Sequence, residues 1–445
     1  MLTTYAYISN YKAFLGIYFL KRGDFMAKIN DLLCGIILPL FIAGCGIFLG
    51  IRLRFFYIFK PFKAIKDIFS GGGSFRFLCL ALAGTLGVGN IVGVSSAILV
   101  GGYGSIFWMW ISAILSMGIK YYEVYLSMLS QRRKNGALHG GAPYYIYDGF
   151  SRRLGKRLAF VLGALFSLFC VINSFTTGNI VQINSISALF PINKILFGII
   201  FCVLVFLVVF KGTKSISLVN SILMPILTIF YILMCLFVLF INFDKIPYAF
   251  SLILKSAFSL KSAAGGVVGF GISRGIRYGV SRGLLSNEAG CGTSPLAHAS
   301  SYATPHAQSC LGILEVFIDT IVLCTMTALV IIVSGAIPCV NALDFVLNAF
   351  GGALGDFGKY GVLIASILFA FATVCTQYFY GRESLLFISN ARWLQLLYAI
   401  LFFAIIILGA IMPIYIMWQI SDLAIATMTI FNLTCVAILH KKVEK

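Results

Sequence analysis

Long apolar runs, each close to the thickness of a bilayer, recur along the chain, and short polar or basic connections separate them. About 20 apolar residues cross the hydrocarbon core as a helix. On that rule the pattern predicts spans near 32–52, 77–100, 105–129, 158–190, 195–210, 216–242, 258–280, 308–337, 360–381, 391–409 and 413–439. That is about eleven transmembrane helices in one all-α integral membrane domain covering 26–445, with no soluble domain or long linker. The start of the chain fits less well: Phe14–Leu20 is too short to cross, and Lys12, Lys21 and Arg22 flank it. Residues 1–25 are therefore set apart as an N-terminal extension, with Met26 as an alternative start.

The second run is interrupted by Gly84-Thr-Leu-Gly-Val-Gly-Asn-Ile-Val-Gly-Val94. Glycine costs about 1 kcal/mol against alanine in a helix interior, and four stand here beside Thr85 and Asn90. Close helix packing uses small residues, but it needs no threonine or asparagine. Irregular backbone at membrane depth must be buried in protein or line a wet cavity. In secondary transporters such breaks are where substrate and ions meet freed N–H and C=O groups. The pattern therefore points to a carrier. A second glycine-rich stretch, Gly265-Gly-Val-Val-Gly-Phe-Gly271, is the preferred matching break, because Arg274, Arg277 and Arg282 then fall on the cytoplasmic side. Ser286-Asn-Glu-Ala-Gly290 competes with it and is otherwise read as an inner gate or loop.

Composition agrees: 60% of residues are hydrophobic, 11% are charged, and mean hydropathy is +1.00. The net charge of +19 is explained by position. Basic residues gather at Arg52–Arg76, Arg132–Arg157 and Arg274–Arg282 and in the tail from His440. The positive-inside rule puts these groups and the C-terminus in the cytoplasm, so a nucleic-acid partner is not needed to account for them. Lys245, Lys255 and Lys261 fall on the opposite side. The twelve cysteines are scattered without a C-x-x-C pair, and the four histidines, assigned to cytoplasmic loops or the tail, lack metal-ligand spacing. No Walker A motif occurs, so ATP does not drive transport within this chain. No cofactor is expected.

Five segments together resemble the alanine/glycine:cation (sodium) symporters, carriers of bacteria and archaea within the amino acid–polyamine–organocation superfamily. They are Gly84–Val94 with Gly101-Gly-Tyr-Gly-Ser-Ile-Phe-Trp-Met-Trp110 and Lys120-Tyr-Tyr-Glu123; Gly140-Gly-Ala-Pro-Tyr-Tyr145; Gly178-Asn-Ile-Val-Gln-Ile-Asn-Ser185; Tyr278–Pro295; and Glu315-Val-Phe-Ile-Asp-Thr320 with Thr327-Ala-Leu-Val-Ile. The run Arg282-Gly-Leu-Leu-Ser-Asn-Glu-Ala-Gly290 is the most specific. The resemblance implies a five-plus-five inverted repeat of the leucine-transporter type, with an extra helix at 32–52, repeat one at 77–242 and repeat two at 258–440. It implies sodium-coupled uptake of a small neutral amino acid, such as glycine or L- or D-alanine. It also implies a setting in the bacterial cytoplasmic (inner) membrane and a monomer or weak oligomer.

A zwitterion's carboxylate wants free N–H groups at a half-helix start, and Gly87, Val88, Gly89 and Asn90, with Thr85 beside them, are the candidates. Its ammonium wants freed carbonyls near Gly266 or the amides of Gln182, Asn179 and Asn184, and Phe270 is a candidate wall. For Na+, the fold implies carbonyls at Ala83 and Leu86 and the hydroxyl of Thr373. Ala372 stands where the family usually has a second hydroxyl, and Gln377 where it usually has a tryptophan. Gln377 must then bond a polar ligand or another helix, and a more polar substrate becomes an alternative. Lys120 and Glu123 read as an i,i+3 ion pair. Asn287 and Glu288 read as gate residues, and Glu315 and Asp319 as a structural or gating pair countered by Arg274, Arg277 or Arg282, or holding a proton. A channel would need a ring of like elements. An intramembrane hydrolase would need paired catalytic groups at depth, and the sequence reading puts no histidine in a span.

Overall fold

The computed structural model describes residues 25–134, 137–189, 193–258, 267–339 and 341–443. Within these, α1 (Lys28–Arg52) leads through two short surface helices to α2 (Phe75–Thr85), α3 (Val92–Gly101) and α4 (Ser105–Leu129). An antiparallel hairpin, β1 (Arg132–Lys134) with β2 (Ala137–His139), precedes α5 (Ala142–Leu154), α6 (Lys156–Ser187), α7 (Lys194–Val209) and α8 (Thr213–Ile241). After a twelve-residue helix, Ile246–Ala257, come α9 (Val267–Asn287), the five-residue α10 (Ser294–His298), α11 (Pro305–Ser334), α12 (Ala342–Ile388), α13 (Arg392–Ile411) and α14 (Ile414–Leu439). Among the described residues seven helices are long and apolar enough to cross a membrane, or eight if α2 and α3 count as one span. Most of the N-terminal extension lies outside the described residues.

One group of helices packs around α4, which touches α1, α9 and α11, while α3 lies on α9. The other group is built on α6 and α12, with α13 against α7 and α14 against α6. Helix α2 joins the groups through α8 and α12. Three spans carry widened π-helical segments: Leu33–Ile37 in α1, Thr176–Ile180 in α6 and Phe317–Cys324 in α11. Such segments turn side chains off the ordinary helical stripe and often mark functional sites. In α6 the widening falls at Gly178, against which Gln377 of α12 rests; a Cβ there would stand 2.5 Å from Gln377 Cγ.

The first break is where the glycines predict it: α2 and α3 meet at 63° across Leu86–Ile91. The second is not. Helix α9 runs unbroken from Val267 to Asn287, so Val267–Gly271 is helical, while Gly265 and Gly266 lie outside the described residues. The chain leaves helical geometry at Glu288–Thr293, with positive φ at Glu288 (47°), Gly290 (91°) and Gly292 (79°). Two glycines that accept left-handed backbone, not merely a glycine-rich run, locate the break. The arginines are displaced with it: Arg274 donates to Val100 O at the far end of α3, so they lie on the α3 side of the break and not beside Arg76. Arg277 pairs with Asp31. Arg282 makes a two-point contact with Asp422 at 2.8 and 3.3 Å and lies 4.2 Å over the Trp418 ring.

Helix α1 is seated on α4 through Gly46, where an added Cβ would stand 2.6 Å from Leu115 Cβ, whereas Gly44 has nothing within 4 Å. Gly46→Leu should therefore lower the melting temperature of the detergent-purified protein by several degrees, and Gly44→Leu should leave it unchanged. Equal melting curves for the two variants would contradict this seating.

Candidate substrate and cation site

At the first break the backbone groups that α2 loses are bonded by side chains from α6 and α12. Gly87 N–H turns back to Thr85 O (2.9 Å), which deprives Ala83 O of its ordinary helical donor. Val88 N–H donates to Gln182 Oε1 (3.0 Å), and Gln182 Nε2 reaches Thr177 O at 3.4 Å. Gly84 O accepts from Gln377 Nε2 (3.3 Å). Gly87 lies between Gln182 and Thr373: a Cβ there would fall 2.6 Å from Gln182 Oε1 and 2.7 Å from Thr373 Oγ1. Thr373 Oγ1 is 2.9 Å from Phe369 O and 3.3 Å from Leu86 O. It has one proton to donate, and the closer Phe369 carbonyl takes it best. Its lone pairs then face the Leu86 carbonyl. Two oxygens about 3.3 Å apart suit adjacent ligands of a hard cation with metal–oxygen distances of about 2.4 Å.

At the second break the donors and acceptors are charged. Lys120 of α4, fully buried, donates to Asn287 O (3.0 Å), Ser294 Oγ (2.8 Å) and Glu315 Oε1 (3.3 Å). Glu123, one turn on, accepts from Gly290 N–H (3.0 Å) and from Asn432 Nδ2 (2.6 Å), which also donates to Gly290 O (2.9 Å). The expected Lys120–Glu123 pair is thus replaced: each residue serves a different end of the freed segment, and Lys120 pairs with Glu315 instead. Gln308 Nε2 donates to His298 Nδ1 (2.7 Å), which leaves His298 Nε2–H to donate to Glu315 (3.0 Å). His298 is fully buried in α10, not in a loop. Glu288 accepts from Thr293 Oγ1 (2.6 Å) and Gln377 Nε2 (2.8 Å), so Gln377 links the two breaks.

The structure brings Gly87, Gln182, Thr373 and Gln377 together, with Ala83 and Leu86 carbonyls beside them. Thr85 turns its hydroxyl back to Ala81 O and Leu82 O, and Gly89 packs on Ser286 of α9. Asn90 points to Asp319 Oδ1 (2.9 Å) and Ser286 Oγ (2.9 Å). Asp319 is answered by Asn90, Ser286 and Thr320, and Glu315 by Lys120 and His298, not by the arginines the sequence suggested. Asn287 donates to Thr320 Oγ1 and caps Ala289 N–H. Asn179 and Asn184 hold α13 and the turn after it through Phe402, Gly409 and Met412 carbonyls. Gly266 and the Phe270 side chain lie outside the described residues. The sequence reading missed Asn432, and named Ser286 only within the run read as a competing break or gate. A lone asparagine in an apolar run such as Ile430-Phe-Asn-Leu433 was the available signal.

Two broken helices whose freed backbone is held by neighbouring spans define a secondary transporter of the leucine-transporter fold. The fold is shared with the crystal structure of MhsT in complex with L-phenylalanine, at TM-score 0.55 and 16% identity, covering 81% of this chain and 87% of that one. A model of the sodium:alanine symporter family matches residues 21–445, and the chain belongs to that family of transporters, which are not enzymes. It is similar to the sodium/alanine symporter AgcS of Methanococcus maripaludis (33% identical, covering 91% of this chain and 92% of AgcS). It is also similar to two Bacillus subtilis proteins: the amino-acid carrier protein AlsT (32%; 90% and 86%) and the probable sodium/glutamine symporter GlnT (30%; 93% and 87%).

Removing Lys120 leaves Glu315 charged in the interior and Asn287 O without its donor. Lys120→Met should cost about 3–5 kcal/mol, the usual effect of breaking a buried pair. Lys120→Met combined with Glu315→Leu should recover much of that loss. Thermal unfolding in detergent checks both, and a single variant as stable as the wild type would contradict the role given to Lys120.

Proposed function

We propose that the chain takes up a small neutral amino acid, alanine of either hand or glycine, together with Na+, by alternating access around the first break. The observation that carries this reading is the Thr373–Leu86 oxygen pair, 3.3 Å apart, next to a Gly87 that has no room for a side chain. The substrate carboxylate takes the Val88 N–H that Gln182 Oε1 otherwise holds, and Gln182 turns its NH2 to the same carboxylate. A half-helix start favours that anion. Na+ sits between Thr373 Oγ1 and the Leu86 carbonyl, with Ala83 O as a further ligand. The short reach between Gly87, Gln182 and Thr373 favours a side chain no larger than a methyl group. A wall so sparse discriminates handedness poorly, so D-alanine fits as well as L-alanine.

A second reading, a carrier of a more polar amino acid that is coupled to protons or is independent of sodium, is favoured by Gln377. Its Oε1 is buried without a partner, and an amide or hydroxyl on the substrate would supply the missing donor.

Uptake by proteoliposomes of labelled glycine, L-alanine, D-alanine and L-glutamine, in sodium and in choline, separates the readings. Sodium-dependent uptake of the first three is expected. Thr373→Ala should raise the half-saturating sodium concentration about tenfold, equivalent to roughly 1.4 kcal/mol of cation binding. Uptake that follows a pH gradient in choline, or an unchanged sodium requirement in the variant, would overturn the cation assignment.

A further inference from the structure

At the start of α6 a cavity of about 390 Å3 opens between β1, α5 and the end of α12. Three cations stand around it: Arg132 of β1, and Lys156 and Arg157, the first two residues of α6. Four rings complete the lining, Tyr144 and Tyr147 of α5, Phe160 of α6 and Phe387 of α12. The cavity stands apart from the first break. Phe387 follows Thr373 by 14 residues of α12, about 21 Å of helix.

The rings hold one another in place. Phe387 stacks on Phe160 with centroids 5.6 Å apart and meets Tyr144 edge-on at 5.1 Å. Gly163 admits the Phe387 ring to α6: a Cβ there would stand 2.7 Å from it. The Arg132 guanidinium lies 5.3 Å over Tyr147 and 5.8 Å over Tyr144, and it pairs with Asp148 at 2.6 Å. Glu383 of α12 is held by His139 at 2.7 Å. Among the described residues no carboxylate pairs with Lys156 or Arg157, and both are exposed. Three cations against Asp148 leave two positive charges in surplus. The wall also lacks an acceptor: Tyr144 is 2% exposed, and its hydroxyl has no hydrogen-bond partner. A buried hydroxyl in that state needs a reason.

The surplus calls for an anion, and the place of the cavity along α6 narrows which one. Lys156 and Arg157 give way within a turn to Leu158, Phe160 and Val161, which are 48%, 41% and 56% exposed. On a spanning helix, such a change from exposed charge to exposed hydrocarbon falls where headgroups meet acyl chains. A soluble anion needs no apolar flank, whereas a lipid has a phosphodiester for the cations and chains for the apolar face. We propose that this cavity is a headgroup site for an anionic phospholipid. Lys156 and Arg157 hold the phosphate, one of its oxygens accepts from the Tyr144 hydroxyl, and the chains run along Phe160 and Val161. Basic pockets at the ends of spanning helices suit such headgroups. An occupied site fastens the hairpin, α5 and the ends of α6 and α12 to the membrane surface.

The test is native mass spectrometry of the full-length protein, delipidated in detergent and titrated with dioleoyl phosphatidylglycerol, dioleoyl phosphatidylcholine or glycerol 3-phosphate. Wild type is compared with Lys156→Gln/Arg157→Gln and with Arg152→Gln/Arg153→Gln, a pair at the end of α5 that does not line the cavity. All four side chains are exposed, so both variants keep the core. Phosphatidylglycerol should bind wild type more tightly than phosphatidylcholine does. Its first-site affinity should fall about tenfold in the Lys156/Arg157 variant and stay within about twofold in the other. Equal loss in the two variants, no loss in either, or equal binding of the two lipids to wild type would overturn the site. Glycerol 3-phosphate that binds wild type as tightly as phosphatidylglycerol would show a site for free phosphate esters and overturn the lipid.

Discussion

Backbone N–H and C=O groups freed at membrane depth find no water in hydrocarbon, and each left unbonded costs several kcal/mol. The two breaks in this chain free such groups at Gly84–Val88 and Asn287–Gly290, and side chains from other helices bond them. Gln182 and Gln377 serve the first break; Lys120, Glu123 and Asn432 serve the second. The positions of α4, α6, α12 and α14 around the breaks follow from this need.

The two sets differ in kind. Neutral amides hold the first break, and such bonds exchange readily for a ligand's carboxylate because a neutral group is cheaper to leave briefly unpaired than a charge. Charges hold the second, and the Lys120–Glu315–His298 cluster has no exposed side chain. Breaking it would strand an ion in the interior. The first break is thus suited to binding and release, and the second to keeping α9, α10 and α11 together with α4. Gln377, bonded to Gly84 O and to Glu288, is the contact through which a change at one reaches the other.

Local signals made the fold class and the first break legible. Four glycines beside Thr85 and Asn90 declare an interruption within a few residues, and Thr373 Oγ1 lies 3.3 Å from Leu86 O beside it. The second break was misplaced because its cause is not local. Gly265–Gly271 is richer in glycine than Ser286–Gly290. Yet the latter segment receives Lys120 and Glu123 from 167 residues away and Asn432 from 142. Lys120 and Glu123 look like partners at helical spacing, and nothing in that spacing tells that each meets the freed backbone of another helix. Asn90 was legible as a polar residue at the break, but not that it faces Asp319 across the α3–α11 contact, where π-helical widening of α11 resets the side-chain directions.

The most direct measurement is hydrogen–deuterium exchange of the purified transporter, resolved to peptides covering 84–94 and 286–294, in choline, in sodium, and in sodium with L-alanine. If neutral side chains hold the first break for exchange with ligands while charges lock the second, amides of 84–94 gain protection when sodium and substrate are added. Those of 286–294 are then slow throughout. Equal responses in both segments, or ligand-induced protection confined to 286–294, would contradict that division of roles.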